Sequence, residues 1–415
     1  MSRSESTGAA AVARREFLRM SGRWAAAAAL GGSAARAWAA DATVTLPFEN
    51  GERDLVAYPQ KRPLIRLTAR PPQLETPFAV FNESVLTPND AFFVRYHLSA
   101  LPTDVDAATF RLRVRGKVAT ELSLSLDDLK RLAEPVSVVA VNQCSGNSRG
   151  YFKPRVNGGQ LGHGAMGNAK WTGITLKTLL AKAGVAAGAR QVAFDGLDRS
   201  TLPGTPDYVK ALELDHALDG EVMLAWAMNG EDLPFLNGFP LRLVVPGYYG
   251  TYWVKHVHDI EVLDRVFDGF WMATAYRTPD TPARALEPGT TAKRTLPIDR
   301  LTIRSFITSV AEGGTLPAGR ETVVRGIAFD SGQGLREVTF SGDGGRTWRA
   351  ATLGADLGKC SFREWKIGFT PPAKGPLGLM ARALNRLGES QPLDPLWNPA
   401  GYMRNVVERV NVEAV

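Results

Sequence analysis

The sequence predicts an α+β protein in which a mixed α/β domain is followed by an all-β sandwich domain. Its 415 residues are enough for two or three domains of about 100–200 residues each. Helix-like and strand-like segments are interspersed before a proline-rich stretch at residues 278–297. Beyond that stretch only short alternating runs occur, separated by glycine-rich turns, which is typical of a sandwich. With 44% hydrophobic and 22% charged residues, the chain has a globular composition.

Residues 1–40 are organised like an export leader. The pair Arg14-Arg15 precedes an alanine-rich apolar stretch at about residues 24–32, and a small-x-small cleavage site follows at 37–39. The apolar stretch is shorter than the roughly 20 residues that cross a bilayer. It resembles a twin-arginine signal, which predicts export of the folded protein by the twin-arginine machinery. We therefore expect a periplasmic protein, often cofactor-bearing, with no membrane span after processing.

The net charge and the cysteine content exclude several classes of function. Of the formal net charge of +7, the leader carries +4 and the remaining chain only +3. No long lysine or arginine run follows residue 40, so we exclude nucleic acid as a partner. Two cysteines, Cys144 and Cys360, are too few for a disulfide scaffold, and no Cys-x-x-Cys-His occurs to attach a c-type haem.

Several elements of the first domain can be predicted in chain order. Leu129 and Leu132 fit a short helix, and a β-branched run at residues 136–141 predicts a strand. The segment 176–184 predicts a second short helix closed by Gly184. Residues 191–194 and 241–245 are strand-like.

The second domain begins after a change in composition. Residues 278–297 contain four prolines and no apolar periodicity, which marks a linker or a long excursion. Alternating runs then follow at 301–307, 322–329, 337–340 and 364–367, with turns such as 341–345. The predicted organisation is a leader at 1–40, a catalytic domain at 41–277, a linker at 278–297 and a β domain at 298–415.

The turn that follows the strand at 136–141 holds the first candidate for chemistry. This strand delivers Cys144 into the small, polar run 142–149, where a buried structural cysteine is less expected than a ligand or a reactive thiol. A nucleophilic cysteine needs a base, and neither His97 nor His163 lies in a recognisable hydrolase context. A soft thiolate ligand suits a transition metal.

A second candidate is the segment 91–98. Strand alternation places Phe93, Arg95 and His97 on one face. Arginine and histidine are costly to bury without a partner, and an anion would satisfy them; a surface strand with a salt-bridged arginine is the alternative. A third candidate is the aromatic loop 246–257, which ends in Lys255 and His256 and suggests a pocket wall.

Together these segments resemble the sulfite oxidase family of molybdenum enzymes. The residues that carry the resemblance occur in the family's order at 93–97, 143–147, 238–247, 253–255 and 397–401. The resemblance covers about residues 41–415 and is strongest to bacterial periplasmic sulfite dehydrogenases. It implies one molybdenum–molybdopterin per chain, oxidation of sulfite to sulfate, and electron transfer to a separate c-type cytochrome. It also implies an immunoglobulin-like dimerisation domain at 298–415, and hence a homodimer or a heterodimer with a haem subunit.

The resemblance also implies roles for individual residues. Cys144 corresponds to the molybdenum ligand, Arg95 faces the substrate oxyanion, and Tyr276 is the active-site tyrosine by position. His97 and Arg149 complete the predicted catalytic set. The predicted cofactor-binding residues are Phe93, Val94, Arg95, Tyr96, His97, Cys144, Asp198, Asn237, Arg242, Trp253, Val254 and Lys255. Arg242 and Lys255 suit a buried phosphate, which needs cations and donors.

Some of these assignments have structural alternatives, and some positions depart from the family. Asp198 lies in a turn-rich run and fits a turn residue equally well, Arg242 fits a surface charge at a strand end, and Tyr276 fits a core tyrosine. Asn237 and Ala400 stand where animal relatives carry histidine and arginine. If the segment after Ala400 is helical, Arg404 would replace that arginine.

Three further expectations complete the prediction. Cys360 is a free core thiol that forms no disulfide with Cys144, since that bond would occupy the metal ligand. The main alternative function is a periplasmic molybdopterin reductase of sulfoxides, against which residues 298–415 argue. An exported binding or adhesion module would not explain why an arginine–histidine strand, a cysteine turn and a lysine loop coincide.

Overall fold

The computed structural model describes residues 42–415, so the predicted leader lies outside the described residues. The described chain is mostly β, with four short α-helices that all precede residue 274: α1 (Leu126–Leu132), α2 (Leu176–Ala183), α3 (Leu214–Ala217) and α4 (Phe270–Ala273). In this range no helix is long and apolar enough to cross a membrane.

Sixteen strands lie before residue 280, and they form most of the first domain. They are β1 (Thr43–Thr45), β2 (Glu52–Val56), β3 (Leu64–Ala69), β4 (Pro72–Glu75), β5 (Val94–Arg95), β6 (Leu112–Gly116), β7 (Leu122–Leu124), β8 (Val136–Gln143), β9 (Met166–Thr175), β10 (Gln191–Asp195), β11 (Val209–Glu213), β12 (Met223–Met228), β13 (Glu231–Asp232), β14 (Arg242–Val244), β15 (Asp259–Leu263) and β16 (Arg277–Pro279). One-turn 3-10 helices occupy Phe78–Asn82, Arg149–Tyr151, Phe235–Asn237 and Gly250–Tyr252.

The predicted helices form where their capping residues place them. Helix α1 starts at a capping box, in which the Ser125 hydroxyl accepts from the Asp128 amide and the Asp128 carboxylate accepts from the Ser125 amide. Helix α2 follows Thr175, whose side chain accepts from the Thr178 amide. It ends at Gly184, whose φ of 72° is the left-handed conformation that glycine adopts without strain. Both predicted helices are confirmed.

Three sheets build the first domain. Their strand orders are β1-β2-β3-β4-β5, β11-β10-β15-β6-β7 and β13-β12-β9-β8, with β14 also pairing β12. Almost all neighbours are antiparallel; the exception is β6 with β15. Strands outweigh helices here because hairpins, rather than covering helices, make most connections, so the domain is less helical than the sequence prediction. The long β8–β9 ladder runs from Val136 opposite Gly173 to Gln143 opposite Met166 and ends directly at Cys144.

The proline-rich stretch is an excursion closed at its base. Strand β17 (Thr295–Pro297) pairs antiparallel with β16, with Arg277 opposite Pro297. The Asp280 amide donates to the Arg294 carbonyl at 3.0 Å, just inside the pair. Of the two readings that the composition allows, the structure therefore favours a looped excursion over an open linker.

The second domain is built from two facing sheets. Its strands are β18 (Arg304–Ile307), β19 (Thr315–Leu316), β20 (Thr322–Phe329), β21 (Leu335–Ser341), β22 (Arg349–Ala350), β23 (Thr352–Leu353), β24 (Arg363–Phe369), β25 (Gly375–Asn385) and β26 (Arg409–Ala414). The sheets have the orders β18-β20-β24-β23 and β19-β26-β25-β21-β22. Val324 and Trp365 of the first sheet share one core with Phe340 and Leu379 of the second. That this sandwich is of the immunoglobulin-like type remains a prediction.

The two domains meet behind the strand that leads to Cys144. The Val141 amide of β8 donates to the Cys360 carbonyl at 2.8 Å, which forms an isolated parallel bridge. The Asn168 side-chain amide of β9 donates to the Ser361 hydroxyl at 3.0 Å. One apolar cluster spans the boundary and includes Phe81, Tyr276, Phe306, Phe329 and Phe362. The second domain therefore supports the strand from which the candidate site projects.

Candidate functional site

Cys144 is the first residue after β8, and its turn is held by backbone hydrogen bonds. The Cys144 amide donates to the Ala165 carbonyl at 2.9 Å, and the Asn147 amide donates to the Cys144 carbonyl at 3.0 Å. The Asn147 side-chain oxygen accepts from the Ala165 amide at 3.0 Å. The Cys144 side chain is 9% exposed, at the edge of a cavity. The turn therefore holds the thiol between the apolar core of the first domain and the cavity.

Two adjoining cavities share four residues, Arg95, His97, Cys144 and Tyr276. The inner cavity is bounded mainly by predicted cofactor-binding residues, and the outer one opens between the domains and contains Arg149. Beyond the shared four, the predicted residues that line the inner cavity are Phe93, Asp198, Asn237, Arg242, Trp253, Val254 and Lys255. Segments that are far apart in sequence thus meet at one place.

Two predicted residues in the arginine–histidine segment face the other way. Strand β5 covers only Val94–Arg95, but alternation persists on both sides of it, so Phe93, Arg95 and His97 face the inner cavity. The Val94 side chain lies in a separate apolar cluster. The Tyr96 hydroxyl is 2.6 Å from His256 Nε2. Val94 and Tyr96 line neither cavity because the pleat turns their side chains into the core, so a contact of either residue with a cofactor would come from its backbone.

The inner cavity has a cationic end that lacks a carboxylate partner for its arginine. Arg242 is 4% exposed, donates Nη1 to the Asn237 carbonyl at 2.9 Å, and leaves Nε without a partner. Its guanidinium lies 5.3 Å from the Trp171 ring centroid and 5.9 Å from that of Trp253. Burial lowers the pKa of Arg242 to about 10. No ion pair involves Arg242 within residues 42–415, so a buried anion would complete this end.

Lys255 adds a second cation to the same cavity. Its Nζ donates to the Arg95 carbonyl at 2.6 Å and lies 4.1 Å from the Tyr96 ring centroid. Burial, and then the charge of Arg242, lowers the pKa of Lys255 to about 7. Burial raises the pKa of Asp198, which Lys255 opposes. An anionic ligand at this end would favour the charged lysine.

Several buried polar atoms around the inner cavity lack a protein partner, and they test whether a polar cofactor fits. Both side-chain atoms of the Asn142 amide and the Ser145 hydroxyl are buried and unpaired, and both residues line this cavity. Such groups are costly unless a ligand or water meets them. Together with Arg242 and Lys255, they suit a polar heterocycle that carries a phosphate, as molybdopterin does.

The donor set at Cys144 also suits a metal that brings its own organic ligand. Across the described chain, no group of three or more histidine, cysteine, aspartate or glutamate side chains is arranged to hold a metal. A metal at Cys144 would therefore take most of its ligands from a cofactor. His163 does not pair with the thiol, because its Nδ1 lies 2.7 Å from the Ser148 hydroxyl and its ring stacks on Tyr151.

Asn237 is held by a lysine that the sequence did not single out. The Asn237 side-chain nitrogen donates to the Phe93 carbonyl at 3.0 Å, and its oxygen accepts from Lys61 Nζ at 2.5 Å. Burial lowers the pKa of Lys61 to about 7. The short run that contains Lys61 carries no motif, so no signal pointed to it.

At the boundary of the two cavities, His97 and Tyr276 form a hydrogen-bonded pair. The His97 ring stacks on Tyr208 with centroids 3.8 Å apart. Burial, and then the charges of Arg95 and Lys255, holds the pKa of His97 well below its ordinary value, so the imidazole is neutral. Burial raises the pKa of the Tyr276 hydroxyl, which therefore stays protonated. Tyr208 lies in a loop without a motif and was not predicted.

Arg149 lies in the outer cavity with two aromatic residues that the sequence did not identify. Its Nε donates to the Ala400 carbonyl at 3.1 Å, and its guanidinium lies 4.9 Å from the Tyr402 ring centroid. Tyr402 in turn stacks on Tyr276 with centroids 5.4 Å apart. Trp271 lines the same cavity. Tyr402 directly follows the 397–401 motif, which was the one available signal.

Arg404 does not replace the arginine missing at Ala400. Residues 401–405 are not helical, so the condition for the replacement fails. Arg404 instead pairs with Glu408 at 3.0 Å and donates to the Tyr151 carbonyl at 3.2 Å. It lines neither of the two cavities.

The two cysteines form no disulfide with each other, as predicted. Cys360 is buried at the domain boundary, and burial raises the pKa of its thiol to about 11. It lines neither cavity.

Comparisons with known proteins agree with this geometry. Residues 98–271 match the oxidoreductase molybdopterin binding domain family, and residues 295–415 match the Mo-co oxidoreductase dimerisation domain family. Mitochondrial sulfite oxidase of Rattus norvegicus is 33% identical over 379 residues, which cover 86% of this chain and 67% of the relative. Sulfite oxidase of Gallus gallus is 32% identical over 368 residues, covering 85% and 78%.

A solved structure has a similar fold. The sulfane dehydrogenase SoxCD from Paracoccus pantotrophus has a TM-score of 0.70 and 24% sequence identity, covering 83% of this chain and 85% of that one. At this identity the likeness concerns the fold.

Proposed function

Because this chain belongs to the sulfite oxidase family of molybdenum oxidoreductases, and its cofactor is molybdenum–molybdopterin, we propose that it oxidises sulfite to sulfate and passes the electrons to a separate c-type cytochrome. The observation that carries the proposal is that Arg95 and Tyr276 line both cavities together with Cys144, and that Arg149 lines the outer cavity with them. Sulfite is a small oxyanion, and Arg95 and Arg149 supply two cations to the outer cavity that opens onto the thiol.

The residues around the inner cavity hold the cofactor in this proposal. Cys144 supplies the thiolate to molybdenum, and Arg242 and Lys255 neutralise the pterin phosphate. The unpaired Asn142 amide would offer the heterocycle one donor and one acceptor. When bound, the cofactor supplies transfer of an oxygen atom to sulfur and accepts two electrons.

The protein binds and orients the anion. Arg95 and Arg149 attract sulfite into a cavity walled by low-dielectric aromatic rings, where each charge acts more strongly than in water. In this proposal neutral His97 takes the tautomer that carries its proton on Nε2 and donates it to the Tyr276 oxygen, which leaves the Tyr276 hydroxyl to donate to a sulfite oxygen. The overall reaction consumes one water and releases sulfate, two protons and two electrons.

The cellular setting belongs to the same proposal. The leader at 1–40 directs the folded protein to the periplasm by the twin-arginine route, and the electrons leave singly to a haem. Residues 298–415 then serve assembly, as a homodimer or with a haem subunit.

The test combines metal analysis with a coupled assay on the purified protein. We expect about one molybdenum per chain and sulfite-dependent reduction of cytochrome c. A protein without molybdenum, or one that carries molybdenum but leaves cytochrome c oxidised in the presence of sulfite, contradicts the proposal. Sulfoxide-dependent oxidation of a reduced dye would point to the reductase alternative instead.

A further inference from the structure

Arg304, at the start of β18, is a completely buried arginine that joins the second domain to the cysteine turn. Its side chain has 0% exposure. Nη1 and Nη2 each donate to the Ser148 hydroxyl at 3.1 Å, and Nη2 pairs with Glu408 at 3.2 Å. Glu408 is shared with Arg404, which binds both of its oxygens at 3.0 Å. Although burial opposes it, His163, Arg404 and Arg304 hold the pKa of Glu408 below its ordinary value, so the carboxylate remains charged.

Ser148 is the residue of the turn on which these contacts converge. Its φ of 69° lies in the left-handed region, which a serine occupies only when its surroundings hold it there. Its amide donates to the Gly162 carbonyl at 2.7 Å, and its hydroxyl also lies 2.7 Å from His163 Nδ1. Because Ser148 directly precedes Arg149, its backbone conformation sets the direction in which the Arg149 side chain leaves the turn.

The Arg149 guanidinium is closely packed against the backbone of neighbouring glycines. A Cβ added at Gly146 would lie 2.7 Å from the Arg149 guanidinium carbon, and one added at Gly158 would lie 3.0 Å from Nη1. Nη1 donates to the Gly159 carbonyl at 3.3 Å. A modest rotation of the turn would therefore drive Arg149 into backbone or out of the outer cavity.

The anion pocket is the part of the outer cavity that Arg95 and Arg149 line. We propose that Arg304 is a positioning residue for this pocket, acting from the second domain through the Ser148 hydroxyl on the orientation of Arg149. Arg304 lines neither cavity, so it acts through the turn and not on the anion. The role assigned to the pocket rests on the proposed function. The consequence is that affinity for a small oxyanion depends on a contact between domains.

The test measures anion binding apart from turnover. The variants are Arg304→Met, Arg304→Lys and Ser148→Ala in the molybdenum-loaded full chain, with Arg325→Met as control, an exposed arginine of the same domain. Sulfate is the probe, with its Kd measured by calorimetry, and KM and kcat for sulfite are measured alongside. We expect Arg304→Met and Ser148→Ala to raise the sulfate Kd and the sulfite KM about tenfold, with kcat changing less than about threefold. Arg304→Lys should be intermediate, because an ammonium can still donate to Ser148.

A sulfate Kd within about twofold of the parent in both Arg304→Met and Ser148→Ala overturns the proposal. If Arg304→Met does not fold, Ser148→Ala decides alone, because it leaves the Arg304–Glu408 pair intact. An equal loss of affinity in Arg325→Met would also overturn it. A parent protein that binds sulfate but does not oxidise sulfite would sink the proposed function and leave this inference standing.

Discussion

The Lys210 ammonium lies 5.3 Å from the ring centroid of Tyr276, buried behind the residue that faces the anion pocket. Lys210 is 1% exposed, donates to the Trp271 carbonyl at 2.7 Å, and lies 4.6 Å from the Tyr252 ring centroid. No carboxylate pairs with it in the described chain. Aromatic faces and a carbonyl therefore take the place of the usual counter-ion.

The burial of Lys210 predicts a pH dependence of stability. Burial, and then the charge of Arg277, lowers the pKa of Lys210 to about 7 from an ordinary value near 10.5. Between about pH 7 and 10 the unfolded chain holds the lysine proton and the folded chain does not, so this group makes stability rise with pH. Lys210→Met should lower that slope by up to about 1.4 kcal/mol per pH unit. Denaturant unfolding across this range measures it, and an unchanged slope would show that Lys210 keeps its proton when folded.

Arg95→Met should impair substrate binding and the chemical step together. Arg95 lines both cavities together with Cys144 and Tyr276, and its loss leaves the oxyanion with Arg149 alone. We expect a sharply higher KM for sulfite, a lower kcat, and a fall in kcat/KM of about a hundredfold or more. Arg190→Met, at an exposed position of the same domain, is the matched control. Unchanged steady-state kinetics would remove Arg95 from the site.

The two cysteines should respond oppositely to substitution. Cys144→Ser replaces the proposed thiolate ligand and should abolish sulfite turnover and reduce bound molybdenum, because an alcohol is a poor ligand for it. Cys360→Ala should retain about one molybdenum per chain. Elemental analysis of both proteins decides the matter. Full turnover in Cys144→Ser would mean that this thiol is not the ligand.

Arg242→Met should move cofactor content and stability in opposite directions. Removing the cation should lower the retained molybdopterin, since the phosphate loses its buried partner. The cofactor-free chain should become more stable by about 1 kcal/mol, because an uncompensated buried charge is replaced by an apolar side chain between Trp171 and Trp253. Pterin released on denaturation and the unfolding midpoint of the cofactor-free chain are the two measurements. A loss of stability in the cofactor-free chain would indicate that Arg242 is compensated by a group other than the cofactor.

Much of this fold could be predicted from local signals in the sequence. Helix α2 begins after Thr175 and ends at Gly184 because of interactions within a few residues, and local chemistry of that kind can be predicted from sequence. Alternation placed Phe93, Arg95 and His97 on one face although the strand itself is only two residues long. The same alternation turns the side chains of Val94 and Tyr96 to the opposite face, so their predicted role in cofactor binding would fall to the backbone.

The remaining features of the site could not be predicted from the sequence because they depend on contacts between segments that are distant in the chain. Lys61 reaches Asn237 across 176 positions, and Arg304 reaches Ser148 across 156, with no periodicity or motif to announce either pair. Arg404 was expected to act through a helix that does not form; its partner Glu408 lies four residues on, and the irregular segment brings the two side chains to 3.0 Å. Pairings of this kind are set by how the domains pack.

The antiparallel pair of β16 and β17 has a consequence for how this protein can vary. Because Arg277 faces Pro297, the chain leaves and re-enters the body of the molecule at one point, and residues 280–294 form a closed detour. The length of that detour does not set the distance between the halves, and lengthening a closed loop costs little free energy. Beyond Leu286, whose amide donates to the Trp397 carbonyl at 2.8 Å, insertions, deletions or a grafted peptide at its tip are therefore separable from the geometry around Cys144.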